Sequence, residues 1–208
     1  MKICLVVLYV IIFISCNEVQ DAPVAIKKEP NKDSGLVKKE LANPYSPTDV
    51  SPVDISYFPP NYPVLKMSNP EIGPPVARVI YSRPHRQGRK IFGTLLQYNQ
   101  PWRLGANEAT EIEFFQPVTI QNKKIDKGRY IIYCVPQQIK WNIILNNRIH
   151  SWGLKIDPKK DVHTFEAPVQ EVENSIEYFT MVFQSTATGA NLIMAWDDVL
   201  VRLPINTE

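Results

Sequence analysis

From Arg78 to Thr110 the chain reads RVIYSRPHRQGRKIFGTLLQYNQPWRLGANEAT. Four of its cations, Arg83, Arg86, Arg89 and Arg103, share this stretch with one glutamate, Glu108, and with Tyr81, Trp102 and Asn107. A guanidinium is planar, permanently charged, and able to bond a carboxylate or phosphate through two parallel N–H groups. Several of them on a turn shaped by Pro84 and Gly88 can face one anion. Arg83, Arg86, Arg89, Trp102, Arg103, Asn107 and Glu108 are therefore the candidate ligand-binding set, for an anionic small molecule or a glycan.

The same residue types also serve structure. Arg103 and Glu108 both lie in a turn leading into a strand, and a pair between them would hold the fold together without touching a ligand. Trp141 and Trp196 fall inside strands and belong to the core. Trp102 and Trp152 stand on loops near Gly105 and Gly153, where an exposed indole could stack on a sugar ring. Packing into the core or its rim is the plainer use of both.

Signatures of catalysis are missing. The chain has no G-x-S-x-G elbow, no H-E-x-x-H, no C-x-x-C, no phosphate-binding loop and no dinucleotide fingerprint, so no catalytic residue and no cofactor is assigned. Its three histidines, His85, His150 and His163, sit at unrelated spacings that do not describe a metal site. A hydrolase would need Glu108 and a second carboxylate such as Asp161 or Asp197, about 5–9.5 Å apart. With 23 Lys and Arg against 21 Asp and Glu, net +2, the chain lacks the concentrated basic face of a nucleic-acid binder. Nucleic acid is not an expected partner.

The elements that must position these residues read as strands. Val76–Ser82, Thr110–Phe115, Val118–Ile120, Arg129–Val135, Lys140–Leu145, Val162–Val172, Ile176–Phe183 and Leu192–Trp196 are short apolar or alternating runs, and Val199 to Ile205 alternates again. Asn122-Lys123 and Lys127-Gly128 look like turns, Asp197-Asp198 looks like a hairpin turn, and Pro168 marks an edge or bulge. Eight or nine strands without helical periodicity predict an all-β domain over 54–208, an antiparallel β-sandwich with jelly-roll-like topology. Its opening residues, 54–75, combine prolines with Tyr57, Phe58, Tyr62, Leu65 and Met67, and predict an extended Pro-rich strap over the surface.

The N-terminus predicts export. Residues 1–16, MKICLVVLYVIIFISC, form one cation, an apolar run too short to span a bilayer, and a cysteine at a lipobox-like ending, so Cys16 is the expected lipidation site and membrane anchor. Residues 17–53 carry mixed charge and scattered proline, the composition of a flexible tether. With Cys4 removed and Cys16 acylated, Cys134 has no disulfide partner, and its apolar surroundings predict a small buried hydrophobe.

The runs Tyr81-Ser-Arg-Pro84, Gly88-Arg-Lys-Ile-Phe-Gly93 and Trp102-Arg-Leu-Gly-Ala-Asn-Glu-Ala-Thr110 resemble the bacterial family designated domain of unknown function 2911. The resemblance continues through Lys127-Gly128-Arg-Tyr130, Trp141–Asn146, Trp152-Gly153 and Ala195-Trp196, with Leu104 standing where members often have threonine. It implies a secreted or lipid-anchored envelope protein, periplasm-facing or in the surface leaflet, with an all-β domain, and it supplies no catalytic residue. Residue chemistry then favours a cell-envelope binding module for an anionic or glycan ligand. The alternatives are a structural protein docking an envelope protein partner and, third, an envelope-polymer hydrolase using Glu108.

Overall fold

The computed structural model describes residues 50–207. The expected signal segment, Cys16 and all but the last four residues of the expected tether lie outside the described residues. The described chain is dominated by antiparallel β-structure, as the alternating runs predict.

Residues Val53–Phe58 form β1, which pairs with Ala77–Ser82, β2, from Val53 opposite Ser82 to Phe58 opposite Ala77. Between them Tyr62–Ser68 forms a short helix, α1, with no buried residue. The extended strap expected over 54–75 is thus a strand and a helix followed by a turn, closed by Ile72 N–H donating to Asn69 O at 3.1 Å, and a few residues without regular structure. Pro63 sits in the first helical turn, where an N–H would have no helical partner in any case, so the proline does not oppose the helix. Lys66 Nζ donates to the Pro70 and Ile72 carbonyls at 2.5 and 2.8 Å and ties the end of α1 to the returning chain. The domain also begins slightly before Asp54: Val53 is already in β1, and Arg83 N–H donates to Pro52 O at 2.9 Å.

The next strands are Glu111–Phe114 (β3), Val118–Ile120 (β4), Lys123–Ile125 (β5), Gly128–Pro136 (β6) and Lys140–Asn146 (β7). In β3 the period of two is plain, with Ile112 and Phe114 buried and Glu111 and Glu113 turned outward to Arg129 and Arg78. The short strand β5 is not legible as a run. Gln121 and Asn122 take the left-handed conformations of a tight hairpin, φ 47° and 63°, which places the turn one residue earlier than the sequence suggests.

Two long strands complete the sheet, Asp161–Ser185 (β8) and Gly189–Thr207 (β9). The order is β1-β2-β3-β6-β7-β8-β9-β4-β5, with antiparallel neighbours throughout. Pro168 is where β8 changes partner: Pro168 faces Lys140 of β7, and Val169 faces Val201 of β9. The second half of β8 then meets the chain leaving β2. Phe179 N–H donates to Pro84 O at 3.0 Å, and Arg86 N–H donates to Glu177 O at 2.7 Å. Phe183 N–H donates to Ser56 Oγ at 3.3 Å and brings β1 to the same strand. The open sheet therefore curls, and its concave side holds the buried aromatic residues Phe92, Trp102, Trp141, Phe179 and Trp196.

Asp197 does not turn a hairpin. It lies inside β9 with φ 54°, beside the places where the β8–β9 register shifts, and is a bulge. The β8–β9 turn is instead the stretch before Gly189, closed by Thr186 N–H donating to Gly189 O at 2.9 Å. An acidic residue can sit at a buried bulge because its carboxylate is fully engaged there.

Candidate functional site

Residues 83–110 leave β2 and return at β3, which pair directly with each other, so the whole excursion lies across one end of the curled sheet. It is fastened along its length. Trp102 exchanges backbone hydrogen bonds with Cys134 of β6, at 2.7 and 2.9 Å, and Thr110 Oγ1 donates to Leu104 O at 2.6 Å. Cys134 is fully buried, and burial pushes its thiol pKa well up, so it is a small hydrophobe as expected.

The four arginines divide into two pairs with different partners. Arg83 Nη1 meets Asp54 Oδ2 at 3.1 Å, its guanidinium lies 5.7 Å from the Tyr178 ring, and Tyr81 donates to the same Asp54 oxygen at 3.5 Å. Burial raises the Tyr81 pKa, so the phenol stays protonated and serves as that donor. Arg86 Nε lies 2.8 Å from Asp197 Oδ1, although its N–H does not point along that line; the contact is one of charge more than a directed hydrogen bond. Asp197, 5% exposed, also accepts from Ile91 N–H at 3.1 Å and Ser175 Oγ at 2.9 Å.

Arg89 and Arg103 are held differently. Arg89 donates to the Arg86 and His85 carbonyls at 2.8 and 2.6 Å, and Arg103 Nη1 donates to Trp152 O at 3.4 Å. Among the described residues neither meets a carboxylate. The expected Arg103–Glu108 pair does not form: Arg103 turns to the loop after β7, and Glu108 is exposed. Partial burial lowers the Arg103 pKa from its ordinary value, but a guanidinium remains protonated in proteins.

Arg89 and Arg103 both line an open cleft of about 500 Å³, with Trp102 and Trp196 in its floor and Leu95 and Leu154 at its rim. Trp102 is 7% exposed, stacks on Trp196 at 5.8 Å, and donates from Nε1 to Gly105 O at 3.2 Å, so it is a core residue whose edge reaches the cleft. Asn107 takes φ 57° and reaches Ser51 O at 3.5 Å, tying the excursion to the start of the described chain. Glu108 lines a neighbouring depression with Glu111, His150 and Trp152. Asp161 and Asp197 do not line that depression. Asp161 is bound by Tyr133 and Asn146 at 2.9 and 2.7 Å, and Asp197 by Arg86.

Trp152, unlike Trp102, is not packed into the core or its rim: it is 55% exposed on the loop between β7 and β8. This loop is seated firmly: Gly153, at φ 75°, approaches so closely that a Cβ there would lie 3.1 Å from Ala109 Cα and 3.2 Å from Arg103 Cβ. The three histidines stand apart, His85 against Tyr178, His163 against Phe165 and His150 in the loop.

The model of a family described as protein of unknown function (DUF2911) matches residues 65–205, most of the chain. The chain belongs to the DUF2911 family. No curated protein and no solved structure matches it. The DUF2911 stretch holds every candidate binding residue, and it holds Asp197, the partner of Arg86. Asp54, the partner of Arg83, precedes it, as does all of β1.

Proposed function

We propose that this DUF2911 protein is a lipid-anchored, exported binding module of the bacterial cell envelope, whose cleft takes an anionic ligand, an anionic small molecule or a glycan, between Arg89 and Arg103. The observation that carries the reading is the contrast among the arginines. Arg83 and Arg86 have carboxylate partners; Arg89 and Arg103 line the cleft and, among the described residues, bond only to carbonyls. A guanidinium oriented by carbonyls keeps its charge uncompensated and its remaining N–H donors available to an anion. Trp102 and Trp196 give the cleft a rigid apolar floor, which favours a ligand with an apolar face as well as a charge. We read the curled sheet as a sandwich of jelly-roll type, which presents loops at its ends in this way.

A second reading, docking of an envelope protein partner, is favoured by β1. It is the end strand of the sheet order and exposes Val53 and Ile55.

A thermal-shift screen against sulfate, phosphate, dicarboxylates, uronic acids and neutral oligosaccharides tests the first reading. Ligand at a hundredfold excess over Kd adds about 2.7 kcal/mol of stability, worth roughly 5–10 °C in Tm for a domain of this size. A shift confined to anionic compounds and lost in Arg89→Ala supports it. Equal shifts in Arg89→Ala, or none across the panel, count against it.

A further inference from the structure

The rim of the cleft carries more exposed apolar surface than a small anion would use. Leu154 is 73% exposed and Trp152 55%, and both line one depression with Lys155. Leu154 also joins Leu95 and Val50 around the cleft that holds Arg89 and Arg103. The other three tryptophans, Trp102, Trp141 and Trp196, are buried, so Trp152 alone among the indoles is turned outward.

We infer that this end of the domain docks on an anionic phospholipid surface, with Trp152, Leu154 and Leu95 entering the interfacial layer and Arg89, Arg103 and Lys155 binding lipid phosphates. The inference rests on the proposed anion cleft and on the proposed anchor at Cys16.

Three observations favour lipid as the occupant. Large aliphatic side chains and an indole beside cations are what an interfacial site needs: the apolar groups reach the acyl boundary, the indole sits among headgroups, and the cations meet phosphate. The platform is preformed, because Gly153 is pressed onto Ala109 and Arg103 and Arg103 is bonded to Trp152 O, so little ordering is lost on docking. Val50, on the cleft rim, is where the described domain joins the segment leading back to Cys16, so a lipid on Cys16 would tether the domain to the bilayer through this end.

The test uses the full chain on vesicles of phosphatidylcholine, with or without about a third phosphatidylglycerol, both carrying brominated acyl chains. The emission difference between the wild type and Trp152→Phe isolates the Trp152 signal, however the chain is attached. The expected result is quenching of that signal by about half or more on anionic vesicles, much less on neutral ones, and its loss in Leu154→Asp. Unquenched Trp152 on anionic vesicles overturns the inference, as does equal quenching on both vesicle types. Inorganic phosphate and a uronic acid oligosaccharide are titrated in parallel into the wild type and Arg89→Ala/Arg103→Ala. If either binds through the two arginines while Trp152 stays unquenched, the docking inference fails and the anion cleft stands; if neither binds and Trp152 stays unquenched, both fail.

Discussion

Arg86 Nε sits 2.8 Å from Asp197 Oδ1, joining the loop after β2 to a bulge in the last strand. Asp197 is nearly sealed from solvent and relies on Arg86 for its counter-charge. Arg86→Ala leaves that carboxylate buried and uncompensated, which costs about 3–5 kcal/mol for a closed pair; because Arg86 is partly exposed, the lower end of that range is expected. Urea unfolding measures it. Arg86→Ala/Asp197→Ala is predicted to lose less than the sum of the single variants, since each removes what makes the other costly.

The tryptophans separate core from surface. Trp102 packs against Phe92, Trp141, Phe179 and Trp196, and Trp102→Ala is predicted to cost about 3–5 kcal/mol. Trp152→Ala removes an exposed ring and should stay within about 0.5 kcal/mol of the wild type. Chemical denaturation of the two variants checks the contrast, and loss of binding in Trp152→Ala would then be free of a folding defect.

Gly153 is predicted to be the tightest constraint on the rim. Gly153→Ala combines an unfavourable positive φ with contacts of 3.1 Å to Ala109, so the loop must shift. The expected cost is about 1–3 kcal/mol, together with loss of the Arg103–Trp152 hydrogen bond, observable as a change in Trp152 emission.

Acid should weaken the domain through His163. Burial first, and Lys123 second, hold its pKa below the ordinary histidine value. The unfolded chain then binds this proton more readily than the folded one. The stabilising contribution is present above the ordinary pKa of about 6.5 and is lost as pH falls from there through the lower folded value. The urea midpoint of the wild type is expected to fall between pH 7.5 and pH 5.5 by more than that of His163→Gln.

Much of the fold was legible because a half-buried strand alternates, as Ile112 and Phe114 do against Glu111 and Glu113. The elements that were misread depend on tertiary partners. Tyr62–Ser68 is helical despite its proline because Pro63 occupies a position that needs no N–H, and Asp197 reads as a turn residue unless Arg86, Ile91 and Ser175 are known to surround it. At the site, the four arginines were legible as one cluster on a single excursion of chain, but partner choice was invisible. Arg83 and Arg86 find carboxylates on β1 and β9, far along the sequence, and Arg103 finds a carbonyl on another loop instead of nearby Glu108. The loop tryptophans Trp102 and Trp152 were legible as a pair but not separable, since only the tertiary structure buries the first at 7% exposure and leaves the second at 55%.

Calorimetric titration of Arg89→Ala/Arg103→Ala, beside the wild type, with the strongest anionic ligand of the screen tests the division of the arginines most directly. The double variant is predicted to keep its Tm within a few degrees, because neither residue pairs with a carboxylate among the described residues. Each lost charge-assisted bond is worth about 1.5–3 kcal/mol, so affinity should fall at least about a hundredfold. An unchanged affinity in a well-folded double variant would contradict the assignment of this cleft as the anion site.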